Sequence, residues 1–235
     1  MVGQELLQRL QFMKVEPEHV LDLGCGVGKE ARALATSYPQ AQVYGMDLAF
    51  SFVEEARKEA DTTVKWVVAD GQILPLRADS VDLIFANLLL PWIKDYHHLL
   101  REWRRVLRPQ GLLLFSSLGP ATFKEWTATE ERTVLPALID MHHIGDALVE
   151  AGFADPILET EELTFTYPSL VALTAELEKT GMFSKATKVL TVPACENLFP
   201  LSFEVVYGHA WSPSVKGFKP DSEGVVKIPL SQLKK

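Results

Sequence analysis

The chain has 235 residues, 47% of them hydrophobic, which suffices for one sizeable α/β domain with an appended element but not for two full domains. Its 31 acidic and 23 basic residues give a formal charge of -8, so nothing draws the whole molecule to a phosphate backbone and no nucleic-acid partner is expected. The longest apolar stretches, Leu83 to Trp92 and Leu112 to Phe115, are too short or too interrupted to cross a bilayer, so no membrane partner is expected and the protein reads as cytoplasmic.

Through the first half the predicted elements alternate strand and helix, the pattern that builds a parallel sheet. Met1 to Met13 places Val2, Leu6, Leu10 and Met13 at helical spacing with polar residues between them, an amphipathic helix and not an export signal. Val20 to Leu23 reads as the first strand, and a helix follows from about Gly28 to Tyr38 with Ala31, Leu34 and Ala35 inward. Ala41 to Met46 is the second strand, leading to a helix near Phe50 to Ala60, and Val64 to Ala69 is the third. Ser80 to Asn87, apolar except for Asp82, has the pattern of a central strand buried on both faces. A helix from about Lys94 to Leu107 carries Leu99, Leu100, Trp103 and Val106 on one stripe, and Pro109-Gln110-Gly111 turns the chain into a fifth strand, Leu112 to Ser116.

Beyond that strand the rhythm changes. A polar stretch, Gly119 to Thr133, precedes a helix from about His142 to Ala151 that stops at Gly152, and two antiparallel strands follow, Ile157 to Thr166 and Leu201 to Trp211. Tyr167 to Pro200, with a helix at Leu170 to Lys179, is long enough to be a lid or substrate-binding insertion. The tail after Pro213 is expected to end loosely. The expected organisation is one domain over residues 1–235, with 167–200 as its insertion.

The chemistry concentrates at the strand ends. Asp22 is followed by Gly24, Gly26 and Gly28, a turn that brings bare backbone up to a nucleoside ligand because no Cβ intervenes and positive φ is tolerated. A dinucleotide fingerprint is spaced G-x-G-x-x-G and seats a phosphate on the helix N-terminus; the Asp-x-Gly-x-Gly-x-Gly spacing here differs. The second strand ends in Asp47-Leu48, where doubly wound folds place the carboxylate that accepts from ribose hydroxyls. The third closes on Asp70-Gly71-Gln72, a carboxylate suited to an amino group on a base ring, and the fourth ends in Asn87-Leu88. Cys25, between two glycines, reads as a packing residue; it and Cys195 have no companions at metal-ligand spacing, so no metal is expected.

Together these residues resemble the class I methyltransferases that use S-adenosyl-L-methionine. The resemblance implies an α/β fold, a doubly wound, Rossmann-like seven-stranded and mostly parallel sheet with an antiparallel final strand and a small lid insertion. It also implies that Asp47 binds ribose, that Asp70 lies near adenine with Gly71 and Gln72, and that Asp22, Gly24, Cys25, Gly26, Gly28 and Leu48 complete the cofactor site. Asn87 and Leu88 would face the methionine end, and S-adenosyl-L-homocysteine would be the product; a strand-end amide satisfying backbone groups is the other reading of Asn87.

Three later stretches narrow the resemblance: FSSLGPATFKEW from Phe115, MHHIGDALVEAGF from Met141 and LSFEVVYGHAW from Leu201. They are similar to the malonyl-acyl-carrier-protein O-methyltransferase of biotin synthesis, over roughly Val2 to Trp211. That family places a methyl group on the free carboxylate of a malonyl thioester carried by acyl carrier protein, so that fatty-acid enzymes can elongate it. A carboxylate is already a nucleophile at neutral pH, so no residue is assigned as a catalytic base. The site needs a group to hold one oxygen while the other attacks. His142 matches the histidine of the family's M-H-x-I-G-D stretch and is the substrate-contact candidate, with a helix-capping role as the alternative. His143 carries less weight, and Tyr207 and His209 read as packing residues.

Carrier proteins are acidic, so docking on this acidic chain requires local positive charge. Arg101, Arg104, Arg105 and Arg108 fall on one helix face, which reads as a solvated face in preference to a docking stripe; Lys124, Arg132, Lys185 and Lys188 are the better candidates. Two departures from the family pattern bear on the acceptor: the further arm usual ahead of the helix at Val2 to Met13 is not in this sequence, and the insertion Phe183 to Phe199 is short and lacks a glycine- and arginine-containing stretch. Methylation of another small-molecule or protein acceptor therefore stays open, as does a cofactor-binding assembly role without methyl transfer. The sequence specifies no oligomeric state.

Overall fold

The computed structural model describes residues 1–59, 63–125, 138–179 and 198–214. Seven strands form one sheet in the order β3-β2-β1-β4-β5-β7-β6. β1 (His19–Leu23), β2 (Gln42–Asp47), β3 (Val64–Val68), β4 (Val81–Ala86) and β5 (Leu107–Leu118) run parallel, while β7 (Phe199–Trp211) is antiparallel both to β5 and to β6 (Ala154–Tyr167). The chain winds outward from β1 to β3, then returns to the other side of β1 to place β4. That reversal makes the β1/β4 boundary the topological switch point, and a ligand crevice opens there at the carboxyl ends of the strands.

Both faces of the sheet are covered. On one face Val20, Phe85 and Leu114 pack against α1 (Val2–Leu10) through Leu6 and Leu10, against α2 (Lys29–Ser37) through Ala31 and Leu34, and against α6 (Leu170–Lys179) through Leu173 and Leu177. α3 (Phe50–Lys58) covers β2 and β3, burying Val53 and Ala56. On the other face Leu21, Ile84, Leu113 and Phe115 meet α4 (Tyr96–Val106) and α5 (Met141–Glu150). The α4 stripe of Leu99, Leu100, Trp103 and Val106 is fully buried, and each of these side chains contributes roughly 1.5–3 kcal/mol by leaving water. Among the described residues no helix is long and apolar enough to cross a membrane.

Three strands differ from expectation. β5 starts at Leu107 rather than Leu112: Leu107 pairs with Val81 and Leu112 with Leu83, so Pro109-Gln110-Gly111 is a bulge inside the strand, not a turn ahead of it. Gln110 there has φ +65°, and the bulge is fastened to β7's exit by Gln110 N–H to Ser212 O (2.9 Å) and Ser212 N–H to Gly111 O (2.8 Å). β6 and β7 are also longer than expected, pairing from Ala154↔Trp211 to Tyr167↔Phe199. β6 is the sheet edge, and it carries Pro156 and exposed Glu159, Glu161 and Glu162, residues that discourage pairing with another chain.

Of the four arginines expected on one helix face, Arg108 lies instead on β5, beyond the end of α4, and three of the four are structural. Arg105 makes a two-pronged pair with Glu102 (2.7 Å each) and donates to the carbonyls of Leu74 and Leu76, clamping the β3–β4 connection. Arg108 pairs with Asp82 (2.9 Å) at the amino end of β4, where Asp82 also accepts from the N–H groups of Glu18 and His19. Arg104 donates to Gly152 O (3.1 Å), tying α4 to the end of α5. Arg101 remains exposed.

Candidate functional site

The turn after β1 is hooked to β2 first by backbone. The N–H groups of Gly24 and Cys25 both donate to Met46 O (2.8 and 3.1 Å), and Gly28 N–H closes the loop on Cys25 O (2.8 Å). Gly24, Gly26 and Gly28 all have positive φ (+69°, +52° and +82°), which explains why the glycines recur at every second position. Gly28 is required twice over, since a Cβ there would also run into the Trp66 ring. A Cβ on Gly26 would meet nothing within 4 Å, so this glycine faces the open crevice.

Asp22 lies beneath the turn, 1% exposed, with its Oδ2 making no hydrogen bond. Burial pushes its pKa well above the usual carboxylate range, the Glu30 charge adds to that, and the Ala31 N–H at the start of α2 opposes it. Burial, then the charges of Asp22 and Asp47, likewise raise the Cys25 thiol, which stays protonated and suits packing rather than nucleophilic work. Asp47 braces the loop: its Oδ2 accepts from Gly26 N–H (2.9 Å) and its Oδ1 from Ala49 N–H (2.8 Å).

The end of β3 lies beside that of β2, because Ala69 N–H donates to Asp47 O (3.1 Å). Asp70 Oδ1 accepts from Gln72 N–H (2.9 Å) and the Gln72 side-chain amide (3.4 Å), fixing the Asp70-Gly71-Gln72 turn. Two apolar side chains stand in solvent at these ends, Leu48 at 70% and Ile73 at 73% exposure. Leu48 was expected in the site; Ile73 was not, and its only sequence signal is an aliphatic residue placed directly after an acidic strand-end turn.

At the end of β4, Asn87 Oδ1 accepts from the buried Ser116 hydroxyl (2.8 Å), while Leu88 N–H donates to Ser116 Oγ (3.0 Å). Leu88 has φ +54°, a costly conformation for a bulky residue and one that clusters at functional sites. Gly3 brings the first turn of α1 against Glu30 and Asn87, so α1 roofs this end of the crevice. Glu30, Ser116 and α1 went unassigned at the sequence level because each acts through a contact distant in the chain.

The acceptor candidates divide. α5 connects the carboxyl end of β5 to the start of β6, so its N-terminus, and with it His142, lies on the crevice side of the sheet. His142 is exposed and its Nδ1 sits 2.7 Å from Asp140 Oδ1, which also caps the helix by accepting His142 N–H (2.8 Å). Asp140 is held below the usual carboxylate range, first by that N–H and then by the imidazole. This contact directs Nε2 away from Asp140 and orients the ring. Lys124, expected near substrate, turns instead to Glu162 on β6 (2.5 Å). Arg132, Lys185 and Lys188 lie outside the described residues, as does Cys195. Tyr207 and His209 face α1 and help line a cavity of about 190 Å³, with the Arg9 guanidinium 4.2 Å over the Tyr207 ring.

The crevice can therefore take a ligand with a particular charge. Asp22, Glu30 and Asp47 gather around the glycine turn, with Asp70 at the end of β3 beyond β2, an arrangement hostile to phosphate and favourable to a cationic group. An orphaned carboxylate oxygen on Asp22, an open backbone face at Gly26 and exposed aliphatic side chains at Leu48 and Ile73 fit a nucleoside that carries an ammonium and a sulfonium.

The methyltransferase-domain family model matches residues 21–115, the stretch that contains all four of these strand ends. The malonyl-[acyl-carrier protein] O-methyltransferase of Legionella pneumophila is 36% identical over 259 aligned positions covering 100% of this chain and 90% of that one. The protein of the same name from Gallionella capsiferriformans is 36% identical over 91% of this chain and 83% of its own length. Among solved structures, the YcgJ protein of Bacillus subtilis superposes with a TM-score of 0.67 at 17% identity, covering 91% of this chain and 99% of that one, a likeness of fold. With relatives aligned from end to end at this identity, the chain belongs to the malonyl-[acyl-carrier protein] O-methyltransferase family.

Proposed function

We propose that the protein methylates the free carboxylate of a malonyl thioester carried by acyl carrier protein, with S-adenosyl-L-methionine as donor and S-adenosyl-L-homocysteine as product, a step of biotin synthesis in the cytoplasm. The observation that carries the reading is the acidic glycine turn at the β1/β4 switch point, in a chain aligned over its full length with an enzyme named for this reaction. The cofactor supplies an electrophilic methyl group; the chain's own residues bind, orient and exclude water. Asp22 takes the amino group of the methionine end, the Gly24-Cys25-Gly26 backbone and Gly28 lie along the ligand, and Asp47 accepts from the ribose hydroxyls. Leu48 and Ile73 flank the base, with Asp70, Gly71 and Gln72 at its amino edge, and Asn87 and Leu88 border the reacting end.

Because the acceptor carboxylate is already ionised at neutral pH, positioning rather than proton abstraction has to supply the acceleration. His142, oriented by Asp140, holds one malonyl oxygen, assisted by cations from Arg132 and Lys185; Lys124 joins them only if it leaves Glu162. Residues 1–235 act as one methyltransferase domain, and 167–200 serve as a lid whose helix α6 is anchored by Leu173 and Leu177. The test is mass spectrometry of malonyl acyl carrier protein after incubation with the protein and cofactor, beside a full-length family enzyme. A gain of one methylene, lost in mild base, is expected. An unmodified carrier alongside an active control would refute the acceptor, and turnover with a free acid would redirect it.

A further inference from the structure

We propose that the outward face of the first two turns of α4, with His98 and Arg101, together with Lys94 and Trp92 in the segment just ahead of it, is the surface on which the acidic carrier protein docks; the proposal rests on the carrier-borne acceptor argued above. His98 and Arg101 lie three residues apart on one face of α4 and are exposed away from the buried stripe, and Lys94, in the bend two residues ahead of the helix, is exposed beside them in sequence. Trp92, in the 3₁₀ turn Leu90–Trp92, is 40% exposed. Arginine and tryptophan are the residues over-represented at the centres of protein interfaces.

Part of the basic surface is neutralised by ion pairs. Arg9 pairs with Glu5 and Glu159, Arg32 with Glu59, Lys58 with Glu55 and Lys124 with Glu162. Lys94 and Arg101 make no ion pair with any described residue. The acids nearest them on the element are engaged, Asp95 in capping His98 N–H (2.9 Å) and Glu102 by Arg105. In a chain of net charge -8 this leaves two unpaired cations near one another at the start of α4, the complement an acidic helix would select. Its place is also right: the chain leaves the carboxyl side of β4 toward α4, so the patch begins at the rim of the crevice, with Trp92 five and Lys94 seven residues after Asn87. A carrier seated there could pass its thioester arm over the rim.

The experiment is a fluorescence-anisotropy titration of labelled malonyl acyl carrier protein against the wild type, the Lys94→Glu/Arg101→Glu double variant and a Lys14→Glu control on the exposed segment between α1 and β1, with methylation and cofactor affinity measured in parallel. The double variant should bind the carrier about tenfold or more weakly and lose most of its salt dependence, while the control stays within about twofold and cofactor affinity and thermal stability stay unchanged. If the wild type methylates the carrier and the double variant binds it equally well, the docking surface is wrong and the proposed function stands. If the wild type neither binds nor methylates the carrier, the acceptor reading fails and the docking surface fails with it.

Discussion

The two sides of the crevice are held by different means. On the cofactor side the bonds join main chain to main chain or one carboxylate to neighbouring N–H groups: Gly24 and Cys25 to Met46, Gly26 and Ala49 to Asp47, Gln72 to Asp70. On the acceptor side the loop after β5 meets a strand far along the chain through two main-chain bonds, Gly119 N–H to Glu204 O (2.8 Å) and Phe123 N–H to Ser202 O (2.7 Å), and is latched there by side chains as well. Glu125 accepts from Ser202 N–H (2.9 Å) and its hydroxyl, Glu204 accepts from Ala121 N–H (2.7 Å), and Thr164 Oγ1 reaches Ser202 Oγ (2.7 Å). A site built from backbone needs particular residues at fixed intervals and leaves a spacing; one built from side-chain latches needs only compatible partners. The cofactor half should accordingly be intolerant of small changes in shape and the acceptor half tolerant of them.

The largest expected effect breaks the backbone side. Gly28→Val would combine the strain of φ +82° with a collision against the Trp66 ring, so a loss of about 3 kcal/mol in urea denaturation is expected, with cofactor binding abolished. Gly26→Ala separates the two causes. With open space around its Cβ it should lose only about 1–2 kcal/mol of stability from the positive φ, yet still weaken the ligand by filling the crevice. Equal stabilities for the two variants would show that Trp66 moves aside easily. Next in size, Asp47→Ala should lower cofactor affinity by about 2–3 kcal/mol by calorimetry, since it removes charged acceptors from ribose and unties Gly26; unchanged affinity would take Asp47 out of the site.

This division also explains what could be read from the sequence. Asp22, the glycines, Asp47 and Asp70 stood out because a carboxylate recurs at the end of each of the first three strands, and the structure sets these carboxyl ends side by side. The α4 stripe and α6 were legible because burial imposes a helical period. β5 was read as starting too late because Pro109 and Gly111 signal a turn locally, while Arg108 on Asp82 and Ser212 on Gly111 hold the chain in register from outside. The arginine face was misjudged for the same reason. Its helical spacing was visible, but the carbonyls of Leu74, Leu76 and Gly152 that engage it come from elsewhere in the chain.

A smaller effect is expected on the acceptor side. His142→Ala should lower kcat/KM for the carrier by about 10–100-fold, as loss of one charge-assisted contact does, and leave cofactor affinity unchanged. Asp140→Asn, which keeps a cap but loosens the imidazole, should fall between wild type and His142→Ala. If cofactor affinity drops in parallel for both, the histidine supports α5 and does not touch substrate.

The smallest expected change, one in stability, tests whether the cofactor side is built for the ligand at the expense of the free protein. Asp22 is buried with an unpartnered oxygen, and its pKa is raised in the fold, by burial first and by Glu30 second. For a carboxylate raised in this way the folded state holds its proton longer than the unfolded chain does, so its favourable contribution is complete below the ordinary carboxylate range and is lost as pH climbs through the raised value. Above the ordinary carboxylate range Asp22 therefore destabilises the free protein. Asp22→Asn should raise the melting temperature of the cofactor-free protein at pH 7–8, by about 2–4 °C for each kcal/mol recovered in a chain of this size, and flatten the decline of stability with rising pH. The same variant should bind the cofactor more weakly, because the amide no longer meets a cationic group with a negative charge. A variant that melted earlier than wild type at neutral pH would mean that the carboxylate is anchored by the turn and does not wait for a ligand.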